Sequence, residues 1–190
     1  MPRAANKARS SLAARSHLKL VGEGEQSPSP SAPDIDSDVD AAREIALKRL
    51  TYAPKTKRVL TRDLVKRGVS SQVAEQVVDR MAEVGLIDDA AFAQAWVSTR
   101  HSGRGLARRA LRSELRLQGV ADEVASEAVE VLSTEDEFAR ARQLVLRRIR
   151  ATGSLGDEKQ IRRISGMLQR KGYSLGLISA VLRDVAANPT

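Results

Sequence analysis

The chain has 190 residues, of which 42% are hydrophobic and 29% charged, enough apolar side chains for one sizeable core or a small array of repeats and too many for a disordered chain. It has no cysteine and only two histidines, His17 and His101, which excludes disulfides, iron–sulfur clusters and thiol catalysis and removes the common zinc sites. Lysine and arginine outnumber aspartate and glutamate by 32 to 24, a balance that suits a polyanion or an acidic protein surface better than a small molecule.

Residues 1–40 differ from the rest. They hold Pro2, Pro28, Pro30 and Pro33 with almost no apolar periodicity, and cannot bury enough surface to offset their ordering entropy. This segment is read as a disordered extension. Its basic start is followed by no apolar stretch of the kind a secretory signal needs, and no apolar run long enough to span a membrane occurs anywhere, so a cytoplasmic protein is expected. The segment carries 5 basic and 6 acidic groups, so the remaining 150 residues carry 27 and 18. The whole positive excess, +9, sits on the part expected to fold.

From Lys55 to Asn188 there is no proline, and apolar residues recur at spacings of three and four, the helical period. The first helix is predicted over about Ala41–Leu50. A second carries Leu60 and Leu64 and ends at Gly68; a third follows over about Ser71–Glu83. Leu64-Val-Lys-Arg-Gly68-Val resembles a helix-turn-helix, but the helix after it holds Glu75, Asp79 and Glu83 against Arg80, and would repel phosphates rather than read a groove.

The next helix is predicted over Asp89–Arg100, with Asp88-Asp89 as its cap rather than a catalytic carboxylate pair. Phe92 and Trp96 fall on its core side, and His101 is a polar loop residue. Gly103-Arg104-Gly105 makes a tight connection into a helix with Arg108, Arg109, Arg112 and Arg116 on one side and Leu111 and Leu115 on the other. Segment 120–137 holds seven acids and no base. Thr134 with Glu137 is a capping box for a helix over Glu135–Arg150. Ser71, Asp122 and Ser174 are expected to cap the last helix of each group. No Gly-x-x-x-x-Gly-Lys-Ser/Thr loop is present, so nucleotide hydrolysis is not expected.

The pattern repeats. Gly68, Gly119 and Gly172 are each preceded at four residues by Leu64, Leu115 and Leu168, at eight by Leu60, Leu111 and Ile164, and at ten by Arg58, Arg109 and Arg162. One residue after come Val69, Val120 and Tyr173, suited to fold back over a left-handed helix end. The fold class is therefore all-α, a tandem array of three three-helix repeats, elongated and curved: 41–87, 88–133 and 134–190. Arginine recurring at one position of all three units forms a basic row suited to an extended acidic or polyanionic partner. With five aromatics in the chain, base stacking is not its mode.

The run Gly85-Leu-Ile-Asp-Asp89, Phe92-Ala93, Trp96, Arg100, Gly103-Arg104-Gly105, Arg108, Leu111, Glu114-Leu115 and Gln118-Gly119-Val120 resembles the RecX family of bacterial regulators of the recombinase RecA. The likeness is dense over Leu86–Val120 and looser from Ala41 to Ala187. It implies a non-enzymatic, cofactor-free protein, expected to be a monomer, that binds the RecA–single-stranded DNA filament and opposes its growth, lowering ATPase, strand exchange and co-protease activity. The Gly103-Arg104-Gly105 turn and Arg108 carry over as interaction candidates. Arg58, Arg109, Arg112, Arg116, Arg162 and Arg163 join them from the repeat. Whether this row meets DNA, acidic RecA surface or both stays open. A stand-alone basic DNA-binding helical protein, or a scaffold for another complex, are the competing classes.

Overall fold

In the computed structural model, residues 35–152 and 157–188 are described. The expectation of disorder over residues 1–34 lies outside them. Among the described residues there are nine helices and no strand: α1 Ile35–Tyr52, α2 Lys57–Val65, α3 Ser71–Glu83, α4 Asp89–Arg104, α5 Arg108–Leu117, α6 Asp122–Glu130, α7 Thr134–Thr152, α8 Glu158–Arg170 and α9 Leu175–Ala187. They group as α1–α3, α4–α6 and α7–α9, and the extensive helix pairings fall within each group.

Each group has its own core. Ala42, Ala46, Leu60, Leu64, Val77 and Met81 close the first; Ala93, Val97, Leu111, Leu115 and Val129 the second; Ala141, Val145, Ile164, Leu168, Tyr173 and Val181 the third. The middle helix of each group ends in the same way. Gly68, Gly119 and Gly172 have φ of 92°, 85° and 92°, and the next residue's amide donates back to the carbonyl of Leu64, Leu115 or Leu168. This six-to-one closure satisfies an orphan carbonyl and folds Val69, Val120 or Tyr173 onto the helix it ends.

Several boundaries differ from the sequence expectation. Helix α1 begins at Ile35, so Asp36, Asp38 and Asp40 belong to its first turns rather than to the extension. The Asp38 carboxylate, at the end of the first turn, complements the positive end of the helix dipole. Helix α4 runs through Gly103 to Arg104, and the chain reverses only at Gly105. The cap of α3 is Ser70, not Ser71, and α6 has no side-chain cap because its N-cap position is Ala121; Asp122 is the first residue of the helix and pairs with Arg116. Asp88 caps α4 through the amides of Ala90 and Ala91, and Ser174 caps α9, as expected. At the start of α7 the reciprocal bonds join Ser133 and Asp136, one residue earlier than the Thr134–Glu137 box. Asp136 is held below the ordinary carboxylate range by those bonds.

Candidate polyanion-binding groove

The groups join head to tail through their middle helices. At the first junction Thr56, fully buried, accepts from the Val59 amide as N-cap of α2 and donates through its hydroxyl to the Gln118 carbonyl after α5. Arg58 donates to the carbonyls of Arg116 and Leu117, at 3.2 and 3.4 Å. Asp89, from the first turn of α4, accepts from the Lys57 amide at 3.0 Å.

The second junction repeats the scheme with other atoms. The Ala107 amide donates to the Lys171 carbonyl at 2.9 Å, setting the start of α5 against the end of α8. Alanine offers no side-chain cap; instead Glu137 of α7 accepts from the Arg108 amide at 2.8 Å and from its Nε at 3.0 Å. Lys57 and Arg108 stand at equivalent positions, eleven residues before their glycines. In both cases an acid of the following group caps the middle helix of the preceding one. The Tyr173 hydroxyl donates to the Gly105 carbonyl at 3.1 Å, and Lys171 and Arg140 donate to the carbonyls of Arg104, His101 and Ser102 at the end of α4. Burial pushes the Tyr173 phenol up to about 12 and the Lys171 ammonium down.

These junctions sort the eight arginines that the sequence places on equal footing. Arg58 and Arg108 hold junctions. Arg104 pairs with Glu114 at 3.2 Å, and Glu114 also accepts from the Trp96 indole at 3.0 Å. Arg100 lies 4.3 Å over the Trp96 ring, which stacks on Phe92. Arg116 forks onto Asp122 at 2.5 and 2.8 Å, which holds that carboxyl below its ordinary range. Arg162 pairs with Glu158 on its own helix.

Arg109, Arg112 and Arg163 form no hydrogen bond or ion pair with the described residues, and neither does Arg170, which the repeat pattern contained but did not single out. Arg108, Arg109, Arg112, Arg116 and Arg170 line one cleft of about 660 Å³ between α5 and the end of α8. Its other walls are Ala110, Ser113, Gln169 and Gly172, and no carboxylate is among them. A cleft on α2 is different: it lies against α3 of the same group, where Glu75 and Asp79 face Arg58, Arg62 and Lys66. The basic row is thus concentrated at the second junction. Gly172 explains why the helix ends can approach so closely, since a Cβ there would stand 2.7 Å from the Ala110 amide. Arg170 could have been found from sequence by its position seven residues, two turns, after Arg163.

No described helix is long and apolar enough to cross a membrane. Family models described as the first, second and third three-helix domains of RecX match residues 42–81, 88–129 and 135–182. The regulatory protein RecX of Streptomyces coelicolor is 52% identical over 146 residues, covering 77% of this chain and 78% of that protein. That of Mycolicibacterium smegmatis is 41% identical over 172 residues, covering 88% and 89%. The crystal structure of RecX from Lactobacillus salivarius superposes with a TM-score of 0.71 at 17% identity, over 80% of this chain and 99% of that one.

Proposed function

This chain belongs to the RecX family of regulatory proteins, and from that premise we propose that it acts as a monomer on the RecA–single-stranded DNA filament. It opposes filament growth and so lowers ATP hydrolysis, strand exchange and co-protease activity, with no reaction of its own. The observation that carries this reading is the cleft at the second junction, where five arginines converge with no carboxylate among the lining residues, and where Arg109, Arg112 and Arg170 form no ion pair. An elongated anionic assembly is the partner such a surface fits. The side chains assigned to the partner are Arg109, Arg112 and Arg163, with Arg170. Arg58, Arg104, Arg108, Arg116 and Arg162 serve the fold.

The test is ATP hydrolysis by RecA of the same organism on single-stranded DNA, with this protein titrated from well below stoichiometry. Inhibition at a small ratio to RecA is expected, because blocking a growing end needs few molecules whereas competition for DNA needs many. Unchanged hydrolysis at saturation refutes the reading.

A further inference from the structure

We infer that the outer face of α4, with the loops before α2 and α4, docks an amphipathic, acidic helix of a protein partner. This surface is separate from the basic cleft at the second junction. The inference goes beyond the functional reading and does not rest on it.

The face stands out when the first helices of the three groups are compared. Ala42 and Ala46, Ala93 and Val97, and Ala141 and Val145 are the equivalent buried pairs that hold them in their cores. In that register Ala91, Ala95 and Thr99 of α4 correspond to Asp40, Glu44 and Lys48 of α1. In α7 the same positions are Ala139, Gln143 and Arg147. Only α4 has three small, uncharged side chains there, and all three are exposed. Spaced four apart, they form one ridge of the helix and leave its backbone open to close approach. The ridge lines an apolar cleft of about 660 Å³ together with Pro54, Leu86, Ile87, Phe92 and Trp96. Leu86, a large apolar side chain, is left 54% exposed. Large apolar and aromatic anchors at the centre of a patch are what a protein interface needs.

Two features choose the occupant. The described residues form no strand, so the cleft has no sheet edge to pair with an extended peptide. A helix satisfies its own backbone and brings only side chains to the apolar walls. Charge decides the rest. Lys55 and Arg100 line the cleft, and its one carboxylate, Asp88, already accepts from the amides of Ala90 and Ala91. Lys55 pairs with Asp63 at 3.5 Å. Arg100 makes no hydrogen bond with the described residues and reaches Glu114 only at 3.9 Å, while Glu114 accepts from Trp96 and Arg104. Held 4.3 Å over the Trp96 ring, its guanidinium keeps donors for an arriving carboxylate. The same contact covers a ring face on which a base would stack, which disfavours a nucleic acid here. The matching helix sets leucine-like side chains against Leu86, Phe92 and Trp96 and an aspartate or glutamate against Arg100.

Trp96 is the only tryptophan of the chain and lines the cleft, so its emission reports occupancy. The experiment titrates the full chain with a tryptophan-free amphipathic peptide about five helical turns long, leucines on one face and glutamates along both flanks. A saturable change in Trp96 emission is expected. The same peptide with lysine for every glutamate should bind at least about tenfold more weakly. Ala95→Arg lays a long side chain across the ridge and adds a charge that a purely electrostatic contact would favour. It should weaken binding of the acidic peptide at least about tenfold, with the melting curve unchanged.

No change in emission at any peptide concentration overturns the inference. Equal binding of the lysine peptide, or equal binding by Ala95→Arg, overturns it too. Oligo-dT should leave Trp96 emission unaltered and should not displace the peptide; an oligonucleotide that did either would give the cleft to nucleic acid instead.

Discussion

The Glu137 carboxylate serves two donors at once: it accepts from the Arg108 amide at a helix start that has no cap of its own, and it pairs with the guanidinium of the same residue. Only 8% of Glu137 is exposed, so its loss leaves the Arg108 amide without its acceptor at a part-buried helix start, while the Arg108 guanidinium still reaches water. Glu137→Ala should lower unfolding stability by about 2 kcal/mol in urea denaturation, in line with hydrogen bonds to charged groups. Glu137→Gln, which can still accept from the amide, should cost less. A second residue-scale prediction concerns acid. Burial pushes the Asp63 carboxyl up, but Lys55 and Arg49 beside it outweigh that and hold it below its ordinary 3.8. Asp122 and Asp136 are lowered as well, by Arg116 and by Ser133. A carboxyl lowered by folding contributes stability that is complete above the unfolded value and is lost as pH falls through the folded one. Thermal stability should therefore decline as pH drops below about 4, and Asp63→Asn should flatten that decline. The sequence showed that Arg104, Arg108 and Arg112 were basic, but not that Glu114 and Glu137 had claimed the first two. Pairing is a matter of three-dimensional neighbours, and these lie ten and twenty-nine residues away.

At the scale of elements, the helices were legible because their apolar spacing is regular and each middle helix ends in a glycine followed by an apolar residue. The caps were less legible. Ser70 and Ser71 are adjacent and chemically identical, so only backbone conformation decides which one caps α3, and Ala107 gives no capping signal because its helix borrows Glu137 from the next group. The borrowed caps couple neighbouring groups. Thr56→Ala removes both the cap of α2 and the bond to Gln118, and should cost about 1–2 kcal/mol while raising amide exchange in the first turn of α2. Gly119→Ala should cost at least about 1–2 kcal/mol, since φ is +85° there and the new Cβ would stand 2.5 Å from Arg58.

Across the whole described chain, three small cores are joined by hydrogen bonds and ion pairs. Each core contains only nine or ten buried apolar residues, and a core of that size is marginal alone. Stability is therefore shared through the junctions, as in other repeat arrays. Five of the eight arginines chosen from sequence are engaged in those junctions or in pairs near them. The repeat argument found the basic row because composition and period are written in the sequence; it could not find that the second junction collects the unpaired ones, because that depends on how α8 meets α5. Substituting Arg109, Arg112 and Arg170 should change stability by less than about 0.5 kcal/mol, since these side chains form no hydrogen bond or ion pair with the described residues and Arg112 acts on Asp122 only at longer range. The most direct measurement is RecA ATP hydrolysis on single-stranded DNA, with wild type and the Arg109→Ala/Arg112→Ala/Arg170→Ala variant titrated side by side. Inhibition by the wild type at low ratio, with a folded variant that has lost most of it, is the expected result. Equal inhibition by the two would contradict the assignment of regulation to this groove.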